Sequence, residues 1–274
     1  MPYLTPGDFQ NRVQDHLEAA LEKYHCEWFV IVAQGSMNYH LTDEESDCDT
    51  KLLTIPSLEE LVLGQKPLNV TYVLEDETDE HCDVKDFREY FKTFRKQNIN
   101  FVEILFSDYW IVNPMYEDLW LELRSKREEL AHMNPYAAVS CMMGMAREKR
   151  HALSHKYPSK RDTIEKFGYD PKQLHHLWRL YNFINAYVDG WSYEECLFSS
   201  EFVHDEMMQC KRDGLGLPKE LAEEEADAWL AEIEKVGNEF RSTHENILDE
   251  DMNLFLNKIC YNVVTRSLRW ELMN

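Results

Sequence analysis

The sequence predicts an α+β protein, in which a small mixed sheet with flanking helices is followed by an α-helical domain. Short apolar runs bounded by turn residues, which are typical of strands, occur in the first half of the chain. Beyond about residue 128 the strand signals stop, and the apolar residues follow helical spacing. We therefore expect two domains, with the sheet in residues 1–128 and a helical domain in residues 129–274.

The first domain is predicted to open with a helix, because Thr5, Pro6 and Asp8 match a capping box with proline at the first helical position. The apolar face of this helix is formed by Phe9, Val13, Leu17, Leu21 and Tyr24. Strands are predicted at residues 28–33, 52–55, 70–74 and 82–85. Helices are predicted at residues 58–63 with Ser57 as cap, 87–97, 102–106, 136–154, 171–188, 220–241 and 252–270.

Composition narrows the class of protein. With 29 Lys and Arg against 51 Asp and Glu, the formal net charge is −22, which disfavours a nucleic-acid substrate because duplex-binding proteins carry a basic face. No stretch reaches the ~18 apolar residues of a membrane span, and the first residues lack a signal-peptide pattern. Seven cysteines without a Cys-x-x-Cys pair predict reduced thiols and a cytoplasmic protein.

The most informative segment runs from residue 35 to residue 51. Gly35 and Ser36 follow the first predicted strand, and Asp47 and Asp49 precede the apolar run of the second. Gly35 allows a tight turn and a close approach of the backbone to phosphate oxygens, and Ser36 adds a hydroxyl donor. Amides that open the next helical turn favour anions. This half of the segment therefore predicts a phosphate-binding turn.

Asp47 and Asp49 are predicted to be metal ligands. Residues two apart on a strand project from the same face, and two carboxylates on one face suit Mg²⁺, whose remaining positions go to water and phosphate oxygens. Cys48 points to the opposite face and is interpreted as a core residue. The alternative is that residues 43–49 form a solvated acidic loop.

At these residues the chain resembles the DNA polymerase β superfamily of nucleotidyltransferases, whose signature is Gly-Ser, about ten residues, then Asp-x-Asp. It is most similar to the RNA-ligase-associated nucleotidyltransferases, to which residues 83–106 and 168–180 also bear a likeness. The resemblance implies a polymerase-β-like sheet, two Mg²⁺ or Mn²⁺ ions and an NTP substrate. It also implies a third carboxylate on a neighbouring strand.

Asp83 is our candidate for that third metal ligand, because it lies in an alternating segment shortly before a helix. Asp86 is the alternative, although it also suits the cap of the helix that starts at Phe87. Glu103 lies in an apolar run and is interpreted as a buried partner of an Arg or Lys rather than as a metal ligand. Asp47, Asp49 and Asp83 are thus the predicted catalytic residues.

A cationic helix face is the predicted contact for the triphosphate. Lys172, His176 and Arg179 share one face of a helix that Asp170 caps and Pro171 begins. Lys172 also ends a basic window, residues 147–172, which has eight Lys/Arg against four Asp/Glu. Arg147, Lys149 and Arg150 in this window are the next candidates. The alternative for both features is a solvated polar surface. The resemblance places this segment beside a cleft between the domains.

The implied activity is transfer of an NMP from an NTP to an acceptor hydroxyl, with release of pyrophosphate. The acceptor stays open among an RNA end, a protein side chain and a small molecule, and no membrane partner is expected. Two alternatives remain, namely a regulatory module that binds NTP and metal without turnover, and an acidic interaction protein that retains the fold.

Overall fold

Five strands of the described residues form one mixed sheet. The computed structural model describes residues 6–42, 46–74, 80–198 and 201–273. The strands are β1 (Glu27–Ala33), β2 (Thr50–Ile55), β3 (Asn69–Val73), β4 (His81–Asp86) and β5 (Trp110–Val112), and their order across the sheet is β3-β4-β2-β1-β5. The pair β2·β4 is parallel, whereas β1·β2, β1·β5 and β3·β4 are antiparallel. The predicted α+β class with a mixed sheet and flanking helices is confirmed.

Three predicted features fall on residues outside this description. They are Thr5 of the capping box, residues 43–45 of the acidic segment, and residues 75–79 of the turn between the third and fourth strands. Among the described residues, no helix is both long enough and apolar enough to cross a membrane.

The first helix, α1 (Pro6–Tyr24), covers one face of the sheet. Its apolar stripe packs against side chains that alternate on the strands, as the period-2 pattern of a strand requires. This core contains Phe9, Val13, Leu17, Ala20, Ile31, Leu52, Cys82 and Val84. Cys48 belongs to the same core, as predicted, and is fully buried.

The opposite face of the sheet is covered by aromatic residues of later helices. Phe29 of β1 makes edge contacts with the rings of Phe87, Tyr116 and Trp120. The helices that follow β4 in the first half are α3 (Phe87–Phe94), α4 (Ile99–Val102), α5 (Glu117–Ser125) and α6 (Arg127–Ala131), and α2 (Leu58–Leu63) follows β2. Ser57 caps α2 in a full capping box, as predicted.

The remaining helices are α7 (Pro135–Leu153), α8 (Arg161–Phe167), α9 (Pro171–Val188), α10 (Tyr193–Leu197), α11 (Glu201–Asp213), α12 (Lys219–Thr243) and α13 (Glu250–Met273). Helix α9 packs against α7, α10, α11 and α12. Trp178 of α9 stacks on Trp229 of α12, with ring centroids 5.6 Å apart. The residues between Asn134 and Ile247 thus have a helical core of their own.

The chain divides into two compact units. The first contains residues 1–38, 42–133 and 248–274, and the second contains residues 39–41 and 134–247. The break near residue 133 lies close to the predicted boundary at 128/129. The C-terminal helix, however, packs with the sheet-containing unit through α3, α5 and β2, whereas the sequence placed it in the helical domain. Residues 39–41 pack with the helical unit.

Candidate active site

The predicted phosphate turn lies directly after β1. Gly35 has a φ of +75°, a left-handed conformation that favours glycine, and it begins a 3₁₀ turn over Gly35–Tyr39. The Asn38 side-chain amide donates to the carbonyl of Ala33 at 3.1 Å and closes the turn. Ser36 is half-buried. The strand-to-helix geometry expected at Gly35 and Ser36 is therefore present.

A buried carboxylate contacts this turn. The Gly35 amide donates to Oε1 of Glu103 at 2.7 Å, and Glu103 is 1% exposed. The sequence predicted Glu103 as a buried partner of an Arg or Lys, and the contact seen here is with a backbone amide of the turn itself. A phosphate oxygen that approaches Gly35 therefore meets an amide that already has an acceptor.

Asp47 and Asp49 lie in the segment just before β2, and not on the strand itself, which begins at Thr50. The ladder with β1 ends at the pair Ala33 and Thr50, so residues 46–49 lie beyond the paired part of the two strands. Their alternation nevertheless persists, because Asp47 is exposed, Cys48 is buried and Asp49 is half-buried. Oδ1 of Asp49 accepts the backbone amide of His81 at 3.2 Å.

The phosphate turn and the Asp-x-Asp segment are neighbours in the first unit. The backbone amide of Gln34 donates to the carbonyl of Asp49 at 2.9 Å. This bond joins the residue before Gly35 to the second aspartate. The two halves of the signature, although about ten residues apart along the chain, thus meet at one edge of the sheet.

Asp83 lies on β4, paired in register with Lys51 of the parallel strand β2, so both side chains are on the same face. Oδ2 of Asp83 is 3.8 Å from Nζ of Lys51, and Oδ1 accepts the Thr71 hydroxyl at 2.7 Å. The side-chain amide of Gln34 lies 3.5 Å from Oδ2. The candidate third metal ligand is thus the counterion of a lysine in this structure.

Lys51 is the residue that sequence reasoning missed. It is 1% exposed, and Nζ donates to Oε1 of Gln34 at 2.7 Å and to the carbonyl of Asn100 at 3.1 Å. Burial lowers the pKa of Lys51 to about 8, and the nearby charge of Asp83 acts in the opposite direction. The sequence contained a signal for Lys51, because it lies two residues after Asp49 and therefore on the same side of the extended chain as Asp47 and Asp49.

Asp86, the alternative third ligand, has a structural role. Its side chain accepts the backbone amide of Arg88 at 2.8 Å, which caps α3, and its Oδ2 forms an ion pair with Nη2 of Arg88 at 2.6 Å. It lies three positions after Asp83 on the same strand, so its side chain faces the other side of the sheet. The capping interpretation of Asp86 is the one that the contacts support.

The donor set can be compared with the needs of a hard cation. Asp47 and Asp49 are accessible carboxylates and fit the oxygen chemistry that Mg²⁺ and Mn²⁺ prefer. Asp83 fits less well, because both of its oxygens contact other groups. Within the described residues, no three His, Cys, Asp or Glu side chains are grouped as a metal site.

In the second unit, four residues of α9 share one helical face, which we call the α9 cationic face: Lys172, His175, His176 and Arg179. Asp170 caps this helix, as predicted, by accepting the amide of Lys172 at 3.0 Å. Lys172 is exposed. The guanidinium of Arg179 lies 3.7 Å from the ring centroid of Tyr39, a cation–π contact that draws it away from solvent.

His175, the less favoured of the two histidines in the sequence, has the most unusual environment on this face. It is 2% exposed, and neither ring nitrogen has a hydrogen-bond partner among the described residues. Burial, followed by the charges of Arg179, Lys211 and Lys172, lowers its pKa to about 3. Burial also lowers the pKa of His176 well below the ordinary value. Both histidines are therefore neutral at pH 7, and the charge of this face comes from Lys172 and Arg179.

The reserve candidates of the basic window form ion pairs. Arg147 contacts Glu234 at 2.7 Å, and Arg150 contacts both carboxylate oxygens of Asp227 at 2.6 and 2.9 Å. Lys149 lies 3.4 Å from Glu148. The positive charge of this part of the window is therefore offset by acidic side chains of α12 and of α7 itself.

Comparison with known proteins gives a distant likeness to a solved structure. No family model matches the sequence, and no curated protein matches it. Among solved structures, the chain is similar to a nucleotidyltransferase-like protein from Exiguobacterium sibiricum 255-15. The identity is 13%, the match covers 83% of this chain and 74% of that chain, and the TM-score is 0.30. A likeness at this level carries no argument about activity.

Proposed function

We propose that the protein is a metal-dependent nucleotidyltransferase, which moves an NMP from an NTP to an acceptor hydroxyl and releases pyrophosphate. The observation that carries this proposal is the 2.9 Å backbone bond between Gln34 and Asp49. It sets a glycine turn with a left-handed φ next to two outward-facing aspartates. A phosphate-binding turn beside paired carboxylates is the combination that phosphoryl chemistry requires.

Asp47 and Asp49 would hold Mg²⁺ or Mn²⁺, with the remaining positions filled by water and phosphate oxygens. Such ions, when bound, lower the pKa of an attacking hydroxyl and offset charge on a leaving pyrophosphate. In the transfer, a bond forms between the acceptor oxygen and the α-phosphorus, and the bond from that phosphorus to the bridging oxygen breaks. The hydroxyl proton leaves to solvent or to a nearby base.

The other residues of the first unit support this site. Gly35 and Ser36 bring backbone and a hydroxyl close to the phosphates. Lys51 binds the side chain of Gln34, whose backbone binds Asp49, so it holds both halves of the signature. Asp83 neutralises part of the Lys51 charge, and its assignment as a third metal ligand stays a prediction.

The second unit contributes a candidate phosphate-binding surface of its own, the α9 cationic face. Lys172, His176 and Arg179 remain the proposed contacts. Lys172 and Arg179 carry the charge of this face, and two charged donors on one helical face suit an anion with several oxygens, whereas His176, whose pKa is lowered by burial, is neutral. Replacing Lys172 by Ala is expected to raise the NTP KM about tenfold or more.

A second function is favoured by the contacts of Asp83, namely binding of NTP and metal without turnover. With Lys51 and Thr71 as its partners, Asp83 is not positioned as an available ligand in this structure. Two carboxylates are enough to bind a metal–nucleotide complex, whereas two-metal chemistry commonly uses more. This candidate predicts nucleotide binding with no product.

The experiment that tests the proposal is incubation with each α-³²P-labelled NTP, with Mg²⁺ or Mn²⁺, and with RNA ends, proteins or small hydroxylated molecules as acceptors. The protein should label one acceptor class, and Asp47→Asn and Asp49→Asn should abolish labelling. Asp15→Asn, an exposed acid on α1, is the matched control and should keep full activity. An Asp49→Asn variant with the parent's activity would refute the proposed function.

A further inference from the structure

The inner side of the Asp-x-Asp segment is bonded to a buried carboxylate. Glu80, which precedes β4, is 3% exposed. Its Oε1 accepts the backbone amide of Cys48 at 3.0 Å, and its Oε2 lies 2.9 Å from Nε2 of His16. Both carboxylate oxygens are therefore used, one of them on the residue that separates Asp47 from Asp49.

Two residues of α1 complete this arrangement. His16 is 1% exposed, and its Nδ1 lies 2.9 Å from Oγ1 of Thr50. Arg12 donates to the carbonyl of Ser46 at 3.1 Å and forms an ion pair with Oε1 of Glu80. We call Arg12, His16 and Glu80 the Glu80 clamp.

The contacts of the clamp alternate along the chain. They fall on the backbone of Ser46, the backbone of Cys48 and the side chain of Thr50. The residues between them, Asp47 and Asp49, point away from the clamp because successive side chains in an extended segment face opposite sides. The clamp thus contacts the inward-facing positions Ser46 and Cys48, which precede β2, and Thr50, at which β2 begins.

The cost of burying charge indicates that the Glu80 clamp serves to fix the geometry of the backbone that it contacts. A buried carboxylate is costly unless it is paired and hydrogen-bonded, and an apolar side chain at this position would avoid that cost. The neighbouring core residues beneath the sheet include Val13, Leu17 and Cys82, which are apolar. A charged network in such surroundings fixes one backbone geometry more strictly than apolar packing does.

We propose that the Glu80 clamp positions Asp47 and Asp49 for binding of a divalent cation together with an NTP. This inference rests on the proposed function. The clamp residues touch neither metal nor nucleotide and act through the backbone of residues 46–50. Loss of the clamp should therefore weaken metal binding while the fold and the two carboxylates remain.

The test is a comparison of Glu80→Ala and Glu80→Gln with the parent. Binding of Mn²⁺ is followed by electron paramagnetic resonance in the presence of the α,β-methylene analogues of the four common NTPs. Glu80→Ala should weaken Mn²⁺ binding about tenfold or more. Glu80→Gln, which keeps an acceptor for the Cys48 amide but loses the charge, should weaken it less. Glu18→Gln, an exposed change on α1, should bind like the parent.

A readout without metal separates positioning from general stability. Amide hydrogen exchange of residues 46–50 should accelerate in Glu80→Ala, while exchange in β1 stays slow. In the transfer assay, the Mg²⁺ concentration for half-maximal rate should rise, and excess Mg²⁺ should restore kcat. Arg12→Met, at a partly exposed position, provides a second variant if Glu80→Ala does not fold.

The outcomes distinguish the two levels of the proposal. If the parent binds no Mn²⁺ with any analogue, the proposed function itself fails. If the parent binds Mn²⁺ and folded Glu80 and Arg12 variants bind it within twofold of the parent, the clamp is structural only and the inference is overturned.

Discussion

Lys51 shows how one residue shapes the candidate site. An ammonium group at 1% exposure loses its hydration, and this burial lowers the pKa of Lys51 to about 8. Gln34 and Asn100 supply oxygen acceptors, and Asp83 supplies charge. A positive charge is therefore held beside the aspartate segment before any ligand arrives.

One substitution can show whether Asp83 is the counterion of Lys51 or a metal ligand. If Asp83 is chiefly the counterion of Lys51, Asp83→Asn should lower the free energy of unfolding by about 1–3 kcal/mol, because a buried charge loses its partner. Urea unfolding measures this, with Asp108→Asn, an exposed acid, as the control. Unchanged stability together with lost Mn²⁺ binding would instead assign Asp83 to the metal site.

Gly35 provides a test of the phosphate turn. Its φ of +75° is strained for any residue with a Cβ, although no heavy atom lies within 4 Å of the position that a Cβ would take. Gly35→Ala should therefore destabilise the fold by about 1–2 kcal/mol through backbone strain alone. Gly144→Ala, in the interior of α7 with the same free space, should stabilise it by about 0.5–1 kcal/mol. Equal effects of the two substitutions would contradict the strained turn.

At the scale of elements, the buried histidines of α9 predict that the protein becomes less stable in acid. The pKa of His175 in the folded protein, about 3, lies below the ordinary 6.5. Between those values the unfolded chain binds a proton that the folded chain does not. The free energy of unfolding should therefore fall as the pH falls below 6.5, by about 1.4 kcal/mol per pH unit for this group. The lowered pKa of His176 acts with the same sign.

Urea unfolding at pH 5 and pH 7 checks this prediction. The acid-induced loss should shrink in His175→Leu, because one of the two contributing groups is removed. His155→Gln, at an exposed position, is the control and should keep the loss of the parent. A His175→Leu variant that loses as much stability in acid as the parent would show that His175 is not buried in its neutral form.

Several elements could be predicted from the sequence because their signals are local. The limits of α9 match the prediction at Pro171 and Val188, since a capping aspartate and a proline mark its start. Strand β1 and the glycine turn after it follow from an apolar run and one Gly-Ser pair. In each case the information lies within a few neighbouring residues.

Other features could not be predicted, because they depend on contacts between distant segments. Periodicity shows that the last helix has an apolar stripe but not which unit the stripe contacts. The sequence likewise flagged Glu103 without indicating that its partner is the Gly35 amide. The pairing of Lys51 with Asp83 depends on the register of two parallel strands, which spacing alone does not fix.

At the scale of the whole molecule, the net charge of −22 bears on the acceptor. Arg147 and Arg150 of the basic window are engaged by acids of α12, so they form no open basic surface. Such a charge repels a polyanionic duplex at low ionic strength. We therefore propose a protein side chain or a small molecule as the acceptor in preference to an RNA end.

The central claim is nucleotidyl transfer, and the measurement that tests it most directly is the stoichiometry of its two products. With an NTP labelled at the α-phosphorus and a parallel assay of pyrophosphate, the account predicts one pyrophosphate released for each NMP joined to the acceptor. Both signals should be lost in Asp49→Asn and kept in Asp15→Asn. Release of inorganic phosphate and NDP, or nucleotide binding with no product at saturating Mg²⁺ and Mn²⁺ and every acceptor class, would contradict it.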